Sequence, residues 1–310
     1  MKTDSKDLFK IDFQEAFEVD DLPAECLDII AKKNFRYTSI QGAERDALIL
    51  EVLRKLETDT QVVGAPERTG VWEEGWAENL RMFKESGYKR EALTPKFIRP
   101  TKTIRWKQDY VTPEDPMFEL SFFEVLRAWL FKTYLAEVDV VYEFGCGTGF
   151  NLLALAELFP EKELHGLDFV NPPKDIVNIM ASEYNLNMQG HVFDMRKPDK
   201  NLSLKANSAV VHLGTVEQLA SDIEPFLEYV LDQKPAICVA MEPTIELYDE
   251  SNLIDYLAAS FHRKRGYTEG YLPRLRELEA QKKIEILKVK RTYFGSFFME
   301  GFSVMVWRPV

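Results

Sequence analysis

Cysteine is scarce in this chain of 310 residues, which contains only Cys26, Cys146 and Cys238. Three widely separated thiols form neither a disulfide framework nor a Cys-x-x-Cys metal or redox site from sequence neighbours. The spacing therefore indicates a reducing compartment, and we expect a cytoplasmic protein without a metal site.

Long apolar runs are also missing. No stretch reaches the roughly 18 apolar residues that a transmembrane helix needs, and residues 1–21 carry no apolar core of the kind found in secretory signals. Basic residues are outnumbered, with 39 Lys and Arg against 51 Asp and Glu, so the formal net charge is -12. That charge repels a phosphate backbone. We expect neither a membrane partner nor a nucleic-acid partner.

The composition that remains, 45% hydrophobic and 29% charged, is typical of a globular protein. Apolar residues at helical spacing over 47–56 and 71–83 predict helices in the first part of the chain. A further amphipathic helix is predicted over 121–136. We therefore predict a mainly helical N-terminal cap over residues 1–125, followed by a second domain over residues 126–310.

The second domain alternates short apolar runs with helical segments, which is typical of a parallel sheet built from βαβ units. Strands are predicted at 138–144, 163–169, 188–194, 208–213 and 236–242. A capping box of Ser221 and Glu224 predicts the start of the helix after the fourth strand. Two apolar runs on either side of Gly295 predict a final antiparallel hairpin. The fold class is thus α/β, with a doubly wound, mostly parallel sheet.

A glycine-rich segment, Glu143-Phe144-Gly145-Cys146-Gly147-Thr148-Gly149, lies where the first of these strands meets its helix. Glycine allows a tight turn there, and the free amides of a helix N-terminus can bind a nucleotide-like ligand. A P-loop is excluded because the chain has no Gly-Lys dipeptide. A dinucleotide fingerprint requires a small residue where Phe150 stands. Packing alone is the alternative interpretation of such a turn.

Two more strand ends carry acceptors for the same ligand. Asp168 ends the second strand, 19 positions after Gly149, where ribose hydroxyl groups are bound in such folds. Asp194 and Met195 follow the third strand, and they offer an acceptor for an exocyclic amine beside an apolar surface for a purine. Three consecutive strand ends therefore point to one ligand.

Residues 125–310 resemble the class I, seven-stranded methyltransferases that depend on S-adenosylmethionine (SAM), through the glycine-rich segment and the acid at the end of the second strand. The resemblance implies SAM as cofactor and S-adenosylhomocysteine as product. It implies that Glu143 orients the amino group, Asp168 accepts from both ribose hydroxyls and Asp194 accepts from the adenine amine. The implied cofactor-binding set is Glu143, Phe144, Gly145, Cys146, Gly147, Gly149, Asp168, Phe169, Asp194, Met195, Leu213 and Gly214.

The loop after the fourth strand provides the candidate catalytic residues, His212 and Glu217. Methyl transfer to an oxygen requires a base, and we expect both side chains near the transferred methyl group, with His212 as the first candidate. The alternatives are that His212 is a core histidine and that Glu217 caps a helix.

Candidate acceptor-binding residues come from both ends of the chain. Residues 251–310 contain 11 Lys or Arg against 6 Asp or Glu, and within them His262, Arg263 and Arg265 would clamp an anionic acceptor. A solvated charged face is the alternative. From the N-terminal region, we predict that three residues close over the cofactor or acceptor, with ordinary packing as the alternative; they are Arg105, Trp106 and Tyr110.

A motif associated with nucleic-acid substrates is out of place. Methyltransferases of flipped adenine carry an Asn-Pro-Pro-aromatic box after the fourth strand, whereas Asn171-Pro172-Pro173-Lys174 follows the second strand here. We predict that this segment is a turn.

Together these patterns predict a SAM-dependent methyltransferase that acts on an oxygen, or a nitrogen, of a small acceptor. The acceptor is expected to be anionic or sugar-like, and the enzyme to be a monomer or homodimer. Three alternatives stay open: a protein methyltransferase, a non-catalytic SAM-binding scaffold and a nicotinamide-dependent oxidoreductase.

Overall fold

A computed structural model describes residues 5–63, 68–94 and 99–310. Its α-helices are α1 (Lys10–Phe17), α2 (Ala24–Lys32), α3 (Gly42–Thr58), α4 (Arg68–Glu85), α5 (Phe118–Tyr134), α6 (Phe150–Leu158), α7 (Asn171–Glu183), α8 (Glu224–Gln233), α9 (Leu253–Arg265) and α10 (Tyr271–Ala280). Short 3₁₀ helices cover Arg90–Leu93, Val216–Leu219 and Ile245–Leu247. No helix in the described ranges has both the length and the apolar character needed to cross a membrane.

The strands, in chain order, are β1 (Ser5–Asp7), β2 (Arg36–Ser39), β3 (Ile104–Trp106), β4 (Asp109–Pro113), β5 (Val140–Phe144), β6 (Glu163–Asp168), β7 (Met188–Val192), β8 (Ser208–Leu213), β9 (Ile237–Glu242), β10 (Ile284–Lys290), β11 (Phe294–Gly295) and β12 (Ser303–Pro309). All five predicted parallel strands are present as β5 to β9, within about two residues of their predicted bounds.

A seven-stranded sheet is the centre of the fold, with the order β10-β12-β9-β8-β5-β6-β7. The strands from β9 to β7 run parallel, and β12 is antiparallel to both β9 and β10. Every residue of β5 is buried, as expected for a parallel strand with both faces covered. The predicted fold class and the predicted C-terminal hairpin are therefore confirmed.

The position of β5 determines where a ligand can bind. Its neighbours are β6 on one side and β8 on the other, so the chain reverses its direction of progress through the sheet at β5. In open α/β sheets a crevice forms at such a switch point, beyond the carboxyl ends of the strands. The glycine-rich segment lies there.

The N-terminal region contains strands that the sequence analysis did not predict. Strands β1 to β4 and β11 form a second, antiparallel sheet in the order β1-β2-β4-β3-β11. Gly295 pairs with Arg105 within this sheet, so it does not form the turn of the C-terminal hairpin. The predicted boundary at residue 125 falls inside α5, which is continuous from Phe118 to Tyr134.

Two local predictions were wrong. Ser221 does not cap α8, because the helix begins at Glu224, its N-cap position is Ile223 and no side chain caps it. Glu224 instead forms an ion pair with Arg274. The Asn171–Lys174 segment is not a turn but the first turn of α7, where proline is well accommodated because its missing N–H would have no helical partner.

Candidate functional site

The glycine-rich segment forms a tight turn between β5 and α6. Gly145, Gly147 and Gly149 have φ values of 72°, 52° and 71°, which side-chain-bearing residues rarely adopt. A Cβ atom on Gly145 would lie 2.1 Å from Cγ2 of Thr215. The amides of Gly145 and Cys146 donate to the Leu167 carbonyl, at 2.7 Å and 3.0 Å, and thereby fix the turn against β6.

Asp168, at the end of β6, faces this turn. Its Oδ2 atom accepts a hydrogen bond from the Gly147 amide at 3.1 Å, whereas Oδ1 is buried and has no partner among the described residues. Burial raises the pKa of the carboxyl group from its ordinary 3.8 to about 6. An unpartnered buried acceptor is costly unless a ligand donates to it. Asp168 therefore fits a hydroxyl-bearing ligand.

A cleft of about 750 Å³, open solvent included, adjoins these groups. Six of the predicted cofactor-binding residues line it: Gly145, Asp168, Phe169, Asp194, Met195 and Gly214. The other lining residues are Thr69, Trp72, Trp76, Phe193, Arg196, Thr215, Gln218 and Leu219. The structure thus brings half of the predicted set to one place.

The rest of the predicted set lies behind the cleft or beside it. Glu143 is buried, and its Oε1 accepts from Asn151 Nδ2 at 2.7 Å while Oε2 has no described partner. Burial raises the pKa of Glu143 to about 8. Phe144 packs in the core against Phe226, and Cys146 is buried with its thiol pKa raised by burial. Gly147 and Gly149 shape the turn without lining the cleft.

A second cavity, of about 1190 Å³ with open solvent included, adjoins the cleft and shares Trp72, Gly214 and Gln218 with it. Its walls are mostly apolar, and they include Leu120, Phe123, Phe150, Leu213, Met241, Met299 and Phe302. Two carboxyl groups, those of Glu119 and Glu217, also line it. Phe150, which stands where a dinucleotide fingerprint needs a small residue, thus lines the second cavity.

The two cavity carboxyl groups are both perturbed. Burial raises the pKa of Glu119 to about 7. Burial, together with the charge of Glu242, raises the pKa of Glu217 to about 8. Glu217 lines the second cavity and not the cleft, and its part in the chemistry stays a prediction.

Glu242, at the end of β9, positions the loop that lines both cavities. Its Oε1 accepts from the amides of Thr215 and Val216, both at 3.0 Å, and its Oε2 accepts from the Glu217 amide at 3.2 Å. This role of Glu242 was not predicted from the sequence. The available signal was an acid at the carboxyl end of a buried strand, as at Asp168.

His212 lines neither cavity. It is buried, with Nδ1 at 2.8 Å from Glu242 Oε1 and Nε2 at 3.0 Å from the Tyr271 hydroxyl. Both ring nitrogens are therefore occupied by protein groups. This is the core histidine that the sequence analysis held as the alternative, so we do not place His212 in the chemistry.

The N-terminal candidates also lie away from both cavities. Arg105 is fully buried, with Nη2 at 3.1 Å from Asp255 Oδ1. Trp106 packs against Phe122, and Tyr110 packs against Phe297. Their strands, β3 and β4, turn these side chains into the core, so ordinary packing is what the structure shows.

The predicted basic clamp does not assemble. His262 is buried, with Nε2 at 2.9 Å from the Thr268 carbonyl oxygen. Arg263 pairs with Glu250 and Arg265 pairs with Asp59, each at 2.6 Å. None of the three lines either cavity, and no described Lys, Arg or His lines the second cavity. The geometry therefore gives an anionic acceptor no support.

One wall of the cleft comes from α4, a helix with no predicted place in the site. Thr69, Trp72 and Trp76 of α4 line it, and the two indole rings stack with centroids 5.9 Å apart and planes at 23°. The signal was the pair of tryptophans four positions apart, which places both on one face of a helix.

No family model matches this chain, and no curated protein does. Among solved structures, human N-acetylserotonin methyltransferase in complex with SAM has 12% identity and a TM-score of 0.48, covering 87% of this chain and 68% of that one. An Escherichia coli rRNA methylase has 12% identity and a TM-score of 0.45, covering 86% and 92%. The N,N-8-amino-8-demethyl-D-riboflavin dimethyltransferase of Streptomyces davawensis has 14% identity and a TM-score of 0.44, covering 86% and 71%. Likenesses this weak assign no function.

Proposed function

We propose that this chain is a SAM-dependent methyltransferase that binds SAM in the cleft and a small-molecule acceptor in the adjoining cavity. One observation carries the proposal: Asp168 presents a buried, unpartnered carboxylate oxygen beside three glycines of positive φ. A ribose would supply the missing hydroxyl donor, and the glycine turn would allow the ligand to approach the backbone.

The cleft also offers a surface for a purine base. Phe169, Phe193 and Met195 supply apolar contacts, and Asp194 supplies an acceptor for an exocyclic amine. Glu143 lies too deep to touch a ligand in the cleft directly, and it holds Asn151, which lines the second cavity. We assign Glu143 a positioning role on that basis.

The second cavity supplies what an acceptor requires. When bound, SAM carries an electrophilic methyl group on a sulfonium, and the acceptor must be aligned with it in a water-poor space. Gly214, Trp72 and Gln218 are common to both spaces, so the acceptor atom would meet the methyl group at these residues. Glu217 lines the second cavity and is the sequence neighbour of Gln218, so we assign it the role of receiving a proton from an oxygen or nitrogen nucleophile.

Calorimetric titration of the full chain with SAM, S-adenosylhomocysteine and NADH tests this proposal. We expect micromolar binding of the two sulfur compounds and no binding of NADH. Asp168→Asn should weaken S-adenosylhomocysteine binding by about tenfold or more, because it removes the charge that strengthens the ribose hydrogen bond.

Asp175→Asn is the matched control, because Asp175 is a half-exposed acid near the start of the next helix and lines neither cavity. Binding of NADH alone would refute the proposal in favour of an oxidoreductase. Binding of none of the three compounds would refute a nucleoside-cofactor site altogether.

A further inference from the structure

The second cavity has an unusual balance of charge. Glu119 and Glu217 are acidic, and no described Lys, Arg or His lines the same space to neutralise them. Arg127 does not line this cavity, since its Nη1 donates to Asn151 Oδ1 and its guanidinium lies over the Phe150 ring. The cavity therefore presents negative charge, or carboxylic acids, to whatever enters it.

Glu119 is available to a ligand. It lies in the first turn of α5, and no hydrogen bond or ion pair joins its carboxyl group to the described part of the chain. Glu217 is partly used, since its Oε1 accepts from Gln218 Nε2 at 2.7 Å, while its backbone is held by Glu242. Acceptor capacity thus remains on both carboxyl groups.

The aromatic walls of the second cavity also suit a cation with an apolar skeleton. Phe123, Phe150 and Phe302 present aromatic surface to the same cavity. Aromatic faces attract cations as well as apolar skeletons. Carboxyl groups in such surroundings are stabilised by a positively charged donor and destabilised by a further negative charge.

We propose, on the basis of the proposed function, that the acceptor is an organic amine with an aromatic or apolar skeleton, whose ammonium group is bound by Glu119 and Glu217. The nitrogen gains the lone pair that attacks the methyl group only after one ammonium proton has passed to the Glu217 carboxylate. The amine would supply the donors and the charge that these carboxyl groups lack within the protein. Its skeleton would lie against the phenylalanine rings. The proposal replaces the anionic acceptor expected from the sequence.

Three probes with one skeleton test it on the full chain, at pH 7.5 and with saturating S-adenosylhomocysteine. The probes are 2-phenylethylamine, the neutral 2-phenylethanol and the anionic 3-phenylpropanoate. We expect the amine to bind at least about tenfold more tightly than either counterpart. Equal or weaker binding of the amine, or no measurable binding of it, overturns the proposal, and this comparison needs no variant.

Charge-neutral variants locate the effect. Glu119→Gln and Glu217→Gln keep the side-chain volume, and each should reduce the preference for the amine by about tenfold. Glu124→Gln is the matched control, since Glu124 lies on the same helix but pairs with Lys33 at 2.8 Å and lines neither cavity. A preference that persists in both cavity variants overturns the assignment to these residues.

The outcome can be separated from the fate of the proposed function. S-adenosylhomocysteine binding is measured first, and its failure refutes the cofactor. In that case the three probes are titrated without it, and their order of affinity still decides whether the cavity selects amines.

Discussion

At the residue scale, the buried carboxyl group of Asp168 lowers the stability of the protein at neutral pH. Its folded-state pKa of about 6 lies above the ordinary value of 3.8, so the folded protein holds the proton more tightly than the unfolded chain does. The stabilising contribution of this group is therefore present below pH 4 and is lost as the pH rises to about 6. Above that pH the native protein carries a buried, half-satisfied carboxylate.

We expect Asp168→Asn to stabilise the ligand-free protein at pH 8 by about 1 to 3 kcal/mol while leaving its stability at pH 4 nearly unchanged. The amide can still accept from the Gly147 amide but carries no charge to bury. Urea unfolding of both proteins at the two pH values measures the difference. A variant that is less stable than the wild type at pH 8 would show that the charged carboxylate is needed to hold the turn.

The role of a residue could be predicted where it belongs to a short sequence motif. It could not be predicted where the residue's hydrogen-bond or ion-pair partner is distant in the sequence. The three glycines and Asp168 follow from a few consecutive positions at strand ends. Arg105 and His212 carry no such signal, because their partners, Asp255 and Glu242, lie 150 and 30 positions away. A sequence shows that such a side chain can ionise, but not whether the fold buries it against an opposite charge.

At the element scale, the glycine turn and the loop after β8 fit against each other. Gly145 and Gly214 have nearly the same φ, 72° and 71°, but different surroundings. A Cβ on Gly145 would lie 2.1 Å from Cγ2 of Thr215, whereas nothing lies within 4 Å of a Cβ on Gly214. Substitutions at these two glycines therefore distinguish the cost of a positive φ from the cost of steric contact.

Gly214→Ala is expected to cost about 1 to 2 kcal/mol in unfolding free energy, which is the usual cost of a side chain at positive φ. Gly145→Ala should cost at least about 2 kcal/mol more, because Thr215 is held through its backbone by Glu242 and cannot move away freely. Guanidinium unfolding of the two variants measures both values. Equal losses would mean that the loop after β8 yields at little cost.

Elements were predictable in proportion to their length and burial. Strands β5, β6, β8 and β9 are runs of five or six mostly buried residues, and a doubly covered parallel strand has that pattern. Strand β7 lies at the edge of the sheet, and only two of its five residues are buried. Strands β1 to β4 have only three to five residues, too few for an alternation to stand out. Pairing with β11, about 190 positions after β3, defines the edge of their sheet.

At the scale of the whole molecule, the C-terminal part of the chain completes the N-terminal sheet. Four buried charged groups join them: Arg105 and Arg291 against Asp255 and Glu300. Asp255 Oδ1 lies 3.1 Å from Arg105 Nη2 and 2.6 Å from Arg291 Nη2, and Glu300 Oε2 lies 2.7 Å from Arg291 Nε. The four charges balance only when both parts of the chain are present.

A boundary at residue 125 cannot be recognised as wrong or right from composition, because the residues that join the two parts are ordinary core and charged residues. Phe122 stacks on Phe294, with ring centroids 3.8 Å apart, across about 170 positions of sequence. Helix α5 itself supplies Phe122 before the boundary and Trp129 after it. The contacts that join the two parts of the chain are visible only in three dimensions.

Two fragments test this coupling. A chain of residues 126–310 lacks Arg105 and Phe122, leaves one buried negative charge unbalanced and loses the first eight residues of α5, so we expect it to show no cooperative unfolding. Loss of one partner from a buried ion network alone costs about 3 to 5 kcal/mol, a large share of a domain's stability.

A chain of residues 100–310 keeps β3, β4, all of α5 and the four-charge cluster, and it should unfold cooperatively. Near-ultraviolet circular dichroism during thermal unfolding distinguishes the two. If residues 126–310 unfold as cooperatively as residues 100–310, the boundary at 125 separates independent domains, and the buried charges are an interface rather than part of one core.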